Sequence, residues 1–119
     1  MASILSYNLW FDEKDRIGRL ESLFATITMY QPTILCFQEV LPEIQALIVK
    51  VLGPSYSFHF PVHPISGYGN LILSKFPLSE GCILPFPSSQ MGRYLLTAKV
   101  SLPFEKSCYI ATSHFESVF

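Results

Sequence analysis

The hydrophobic pattern changes period along the chain. Ile4 and Leu5 form a short apolar run that leads to Asn8. From Arg16 onward the spacing lengthens. Ile17, Leu20, Phe24 and Ile27 recur three and four residues apart, with Arg16, Arg19 and Glu21 on the other side, which predicts an amphipathic helix. Asp12 or Asp15 stands where a side-chain oxygen can cap its first turn, and Gln31-Pro32 stops it, because a residue before proline is pushed out of the helical region. Thr33 to Phe37 is a continuous apolar run, the pattern of a strand covered by helices. A second helix opens with Pro42 in its first turn, carries Ile44, Leu47, Ile48, Val51 and Leu52 inward, and ends at Gly53-Pro54.

Beyond Pro54 the helical period disappears. Tyr56 to Phe60, Asn70 to Leu73, Ser79 to Leu84, Arg93 to Leu102 and Ser107 to Ser113 read as short strands between Pro, Gly and Ser clusters, with Pro103 to Lys106 as a hairpin turn. The chain is therefore expected to be α/β, strand–helix–strand–helix followed by a run of strands. It shows no internal repeat, low-complexity segment or linker.

Composition sharpens this picture in one respect. Of 119 residues, 50% are hydrophobic and 14% charged, against about 25% charged in a typical globular domain. Such an apolar chain is expected to cover part of its surface by docking on a partner or on a further part of its own fold. The net charge of −1 supplies no global basic field, so nucleic acid would have to be held by a few local groups. Cys36, Cys82 and Cys108 sit in apolar runs without C-x-x-C spacing and are expected to be buried free thiols of a reducing compartment, nucleus or cytoplasm. No apolar run approaches the roughly 18 residues of a spanning helix, so no membrane partner is expected.

The candidate chemistry lies at strand ends, where side chains are rigidly held yet face solvent. Glu39 follows an apolar strand directly and must find a cation or escape burial. Mg²⁺ is held in this manner, by one or two carboxylates with waters and phosphate oxygens; equally, Glu39 can be an acid leading the second helix. Asn8 and Gln38 can each aim an amide at a phosphate oxygen or a metal-bound water, or serve as strand-terminating turn residues. His114 can donate to a phosphoryl oxygen or stand exposed in a turn, and Glu116 can orient it if the strand continues. Arg93 can clamp a phosphate or simply start a strand. His59 and His63, flanking Pro61 in an expected loop, read as structural. The absence of a serine–histidine–acid order, a P-loop and G-x-G-x-x-G removes several hydrolase and nucleotide-binding classes.

Together, Ser6-Tyr7-Asn8, Cys36-Phe37-Gln38-Glu39-Val40, Gly69 to Pro77 and Thr112-Ser113-His114 resemble, in order and spacing, the endonuclease/exonuclease/phosphatase superfamily of deoxyribonuclease I-like proteins. Gln31 to Leu35, Pro85-Phe86-Pro87-Ser88 with Met91 and Arg93 to Leu96, and Thr112 to Ser117 are similar to the branch of that family that hydrolyses 5′-phosphotyrosyl bonds in DNA. The resemblance implies a four-layer α/β sandwich and a hydrolase using Mg²⁺, or Mn²⁺ in its place. It makes Glu39 the metal ligand, has Asn8 and His114 position and stabilise the scissile phosphate, and lines the substrate groove with Gln38, Tyr68, Arg93, Ser113, Glu116 and Ser117. It also implies that residues 1–119 are a partial domain, the N-terminal half of the sandwich. The Gly-Asp-x-Asn and Ser-Asp-His segments of the family's other half do not occur here, so the chain alone is expected to be inactive, as a piece of such a phosphodiesterase; the alternative is a non-catalytic remnant that at most binds a partner or nucleic acid. A sister activity on RNA or lipid phosphoesters stands as a further alternative.

Overall fold

The computed structural model describes residues 2–103, 106–115 and 117. Its elements are β1 (Ile4–Asn8), α1 (Arg16–Tyr30), β2 (Ile34–Val40), α2 (Pro42–Leu52), β3 (Phe58–Phe60), β4 (Gly69–Ser74), β5 (Leu78–Pro85), β6 (Tyr94–Val100) and β7 (Cys108–Ser113). They build two sheets, one ordered β1-β2-β4-β3 and the other β5-β6-β7. β1 and β2 run parallel, as a strand–helix–strand crossover requires, and the remaining pairs are antiparallel. The α/β class and element order read from the sequence hold, as does the change from helices to strands after Pro54.

Strand alternation divides the apolar residues between two cores. Leu35 and Phe37 of β2 and Leu71 and Leu73 of β4 face Leu20, Leu23 and Ile27 of α1 and Ile44, Ile48 and Leu52 of α2. Ile34, Cys36 and Ile72 point the other way and meet Leu96, Ala98, Val100 and Ile110 of the second sheet. β2 is buried on both faces, which is why it reads as an unbroken apolar run.

Several expectations are corrected. Asp15 occupies the N-cap position of α1, but its side chain makes no capping hydrogen bond, while Asp12 accepts from the Lys14 N–H at 2.7 Å in a turn of its own. Ile17 is 75% exposed because it lies on the far side of Leu20 from Leu23 and Ile27, which complete the buried stripe. On α2, Leu47 and Val51 are exposed and Gln45 is buried instead, its amide bracing the loop before β4 through the His63 carbonyl (3.0 Å) and the Ile65 N–H (2.8 Å). His59 lies in β3 rather than in a loop. β2 continues past Phe37 to Val40, so Gln38 and Glu39 belong to the strand. Part of the expected turn from Pro103 to Lys106 lies outside the described residues.

The cysteines also separate. All three are free, but only Cys36 is buried; Cys82 is exposed and Cys108 intermediate. β5 has its residues Ser79–Pro85 exposed, so an apolar run there does not mean a buried one. Burial pushes the Cys36 thiol up to about 11 from 9.0, since the thiolate cannot be solvated among Ile34, Ile72 and Leu96. A raised folded value means the contribution is intact below 9.0, and stability falls as pH rises from there toward about 11. We expect an aromatic disulfide reagent to modify Cys82 rapidly near neutral pH and to reach Cys36 only on unfolding. Rapid labelling of Cys36 in folded protein would contradict the placement of β2 between two covered faces.

Candidate active site

Three strand ends and one strand start meet at one edge of the two sheets. Asn8 ends β1 and lies in register with Gln38 of β2. Glu39 sits at a bulge: β2 pairs Phe37 with Leu71 and then Val40 with Gly69, and Glu39 takes φ 56°. The inserted residue restores Val40 to the helix-facing core beside Phe37 and turns the carboxylate out of the alternation, the use to which bulges near active sites are put. Sequence periodicity places Glu39 after a strand; the bulge is what releases it from the sheet.

The second sheet brings the basic groups. The β5–β6 connection closes on itself, the Phe86 N–H donating to the Arg93 carbonyl at 3.1 Å and the Arg93 N–H to Ser89 Oγ at 2.7 Å. This delivers Arg93 immediately before β6. Ser113 donates to the Tyr94 carbonyl at 2.8 Å, pinning the end of β7 to the start of β6, so that His114, the next residue, emerges beside Arg93. The sheets are tied to each other by Gln38, whose amide nitrogen donates to Thr112 Oγ1 at 2.9 Å and to Ser6 Oγ at 3.2 Å. Glu39 and His114 are thus held across the gap by neighbours one and two residues away.

Glu39, Tyr68, Arg93, His114 and Ser117 line one cleft of about 320 Å³, completed by Trp10, Phe11 and Met91. Glu39, Tyr68, Arg93 and His114 also line a deeper recess of about 20 Å³ with Asn70, Gly92 and Tyr94, room for about one water-sized group. Arg93 is 6% exposed. Its Nη1 donates to Tyr68 Oη at 3.2 Å, its Nη2 to Met91 Sδ at 3.5 Å, and its Cζ lies 5.5 Å from the centre of the Tyr68 ring. Among the described residues Arg93 forms no ion pair, the only one being Lys99–Glu80 on the outer face of the second sheet. Arg93 Nε and His114 Nδ1 are buried without a hydrogen-bond partner among the described residues. A buried cation without a counter-ion and two orphaned nitrogens are costly unless an anion completes them.

Tyr94 shapes the recess. Its hydroxyl accepts from the Asn70 N–H at 2.8 Å, and burial raises its pKa despite the opposing effect of that bond. Gly69 makes the approach possible, since a Cβ there would stand 2.3 Å from the hydroxyl.

The sequence-derived site residues therefore divide. Glu39, Tyr68, Arg93, His114 and Ser117 are brought together. Asn8 stays at the rim, where its Oδ1 accepts from the Trp10 N–H at 2.8 Å and leaves its amide nitrogen free of that bond. Gln38 is 8% exposed and Ser113 is tied to β6, so both brace the sheets instead of lining the cleft. Glu116 lies outside the described residues. Trp10, Phe11, Met91, Tyr94 and Thr112 are additions of the structure: Trp10-Phe11 follow Asn8 closely and Met91, Tyr94 and Thr112 lie in the segments that carry the family resemblance, but nothing local gives them a place at the site.

As donors for a metal, the described residues that line the cleft offer one carboxylate, Glu39, and no group of three or more His, Cys, Asp or Glu side chains gathers among the described residues. That does not make an all-protein cage. It does fit an ion such as Mg²⁺, which is commonly held through one or two carboxylates with water and substrate phosphate.

The family model of the Endonuclease/Exonuclease/phosphatase family matches residues 5–104, and the chain belongs to that family. Its relatives include Tyrosyl-DNA phosphodiesterase 2 of Bos taurus, 30% identical over 122 aligned positions that cover 97% of this chain and 32% of that protein. The Mus musculus protein of the same name is 33% identical over 125 positions, covering 98% and 32%. Among solved structures, D. rerio TDP2 complexed with single strand DNA product superposes with a TM-score of 0.87 at 30% identity, over 98% of this chain and 47% of that one. ANGEL2, a 2′,3′-cyclic phosphatase, in complex with adenosine-2′,3′-vanadate shares the fold at 17% identity and a TM-score of 0.74. The chain spans about a third of the length of the curated relatives it matches.

Proposed function

We propose that this chain supplies the phosphate-binding part of a metal-dependent phosphodiesterase that hydrolyses 5′-phosphotyrosyl bonds in DNA, of the kind left by a trapped topoisomerase. The observation that carries the reading is the buried Arg93 guanidinium, unpaired by any carboxylate of the described residues although Glu39 lines the same cleft. A cation and a metal-binding carboxylate facing each other without contact leave a place for a phosphoryl group between them. The relatives bearing the name Tyrosyl-DNA phosphodiesterase 2 support this substrate class.

In this reading Glu39 holds Mg²⁺, with Mn²⁺ able to replace it, and the ion when bound neutralises charge on the phosphoryl oxygens. Arg93 binds a phosphoryl oxygen as a fixed cation, since guanidinium does not exchange protons near neutrality. His114 donates a hydrogen bond to the same group, and Asn8 aims the free side of its amide at it from the rim. Ser117 and Tyr68 border the DNA. Action on DNA adducts places the protein in the nucleus, the cytoplasm being the other compartment compatible with free thiols. Residues 1–119 form one part of a larger domain, and the segment of the relatives beyond the matched region contributes the second carboxylate and second histidine that turnover needs. Without that segment the cleft binds phosphate but does not cleave, which is the second reading, favoured by the single carboxylate among the described residues of the cleft.

The test is release of tyrosine from a 5′-phosphotyrosyl oligonucleotide. Residues 1–119 are expected to be inactive alone and to support Mg²⁺-dependent cleavage, abolished by chelator, once extended by the corresponding segment of a relative. Failure of the extended protein, with phosphate binding retained, selects the binding-only reading; loss of phosphate binding as well removes both.

A further inference from the structure

Trp10 and Phe11 line the cleft but have no part in the chemistry above. They are 46% and 42% exposed, so core burial does not explain two large rings on this loop. The loop that carries them is nevertheless held at many points. Arg19 donates to the carbonyls of Leu9 (2.5 Å), Trp10 (3.0 Å), Asp12 (2.5 Å) and Lys14 (3.0 Å), and Arg16 donates to that of Phe11 at 2.7 Å. The Arg19 guanidinium lies 4.7 Å over the indole of Trp10, and the Phe11 ring meets Tyr68 edge-on at 4.9 Å and 77°. Trp10 takes φ 55°, a left-handed conformation rare for a bulky residue and typical of places where function holds the backbone. The cleft of about 320 Å³ far exceeds an inorganic phosphate and is of the size that encloses a ring-bearing ligand.

We propose that Trp10 and Phe11 form a stacking shelf for the planar ring joined to the bound phosphate, with Arg19 as the positioning residue that sets the shelf. The inference rests on the phosphate reading of the cleft. The shared ligand chemistry is a phosphoester carrying an aromatic ring, whether the phenol of a tyrosyl ester or the base of a nucleoside phosphate. Stacking suits both, because every such ring offers a π-face.

Trp10 is the chain's single tryptophan, so its emission reports directly on the shelf. The full chain is titrated with inorganic phosphate, phenyl phosphate and thymidine 5′-phosphate in the presence of Mg²⁺. Aromatic phosphates are expected to bind on the order of tenfold more tightly than inorganic phosphate and to perturb Trp10 emission. Phe11→Leu should abolish most of that preference, and Phe11→Tyr should keep it. Stronger binding of phenyl phosphate assigns the shelf to the tyrosyl ring, stronger binding of the nucleotide to the base. Phosphate binding with no aromatic preference, or a preference that survives Phe11→Leu, overturns the shelf alone; absence of any phosphate binding overturns the phosphate reading with it. Circular dichroism verifies each variant, and Phe11→Met measured by calorimetry replaces Phe11→Leu if that variant does not fold.

Discussion

Glu39→Gln is expected to lower turnover at least about a hundredfold, roughly 3 kcal/mol of transition-state stabilisation, in a form of the protein that cleaves a 5′-phosphotyrosyl oligonucleotide. The substitution keeps the size of the side chain and removes only its charge. Its effect on folding should be small, because Glu39 is the inserted residue of a bulge and its carboxylate forms no ion pair among the described residues. The two readouts together decide the matter. Near-normal turnover in Mg²⁺ would remove Glu39 as the metal ligand. A loss of turnover accompanied by loss of the thermal transition would assign Glu39 to the fold instead.

Arg93→Ala is the second large effect, a fall in kcat/KM of about tenfold to a hundredfold, the range of a charge-assisted contact worth about 1.5–3 kcal/mol. Stability should change by no more than about 1 kcal/mol. The reason lies in what Arg93 lacks. A structural arginine at 6% exposure would be paired, whereas among the described residues this one leaves Nε without a partner and has no carboxylate in contact. Removing a buried charge that nothing compensates relieves a desolvation cost while losing packing on Tyr68 and Met91. Arg93→Lys should recover part of the activity, since the charge returns but the fork does not. The loss should be of similar size on a short chromogenic phosphodiester and on DNA, because the phosphoryl group that Arg93 contacts is common to both. A much smaller loss on the short ester would show that Arg93 contacts the flanking strand instead of the phosphoryl group, and a variant that melts far below the wild type would show that the arginine holds the fold.

The site was legible in part, and the division follows the range of the interactions. Glu39, Arg93 and His114 stand next to strands whose apolar runs are visible locally, and the structure brings the three to one cleft. Gln38 and Ser113 carry the same kind of polar group at the same kind of position, yet the structure turns them inward. Their partners, Thr112 and the Tyr94 carbonyl, lie 74 and 19 residues away along the chain, and no local pattern encodes such a contact. Trp10 and Phe11 carry no signal in the sequence for a related reason. An exposed aromatic on a loop has no periodicity, and its importance follows from Arg19 gathering the carbonyls around it.

By itself the sequence determined the order of the elements, the change from helical to strand spacing after Pro54, and the residue types available at each strand end. Those follow from backbone periodicity and turn chemistry, which act over a few residues. Only the tertiary structure decided which of the polar strand-end residues look into the cleft, which cysteine is buried, and where the aromatic shelf stands. Side-chain direction changes with one inserted residue, as at Glu39, and burial depends on what the opposite sheet places against a strand. β5 shows the second effect plainly: its apolar residues Ile83 and Leu84 are 39% and 47% exposed, while Leu96 and Val100, in the neighbouring strand, are fully buried.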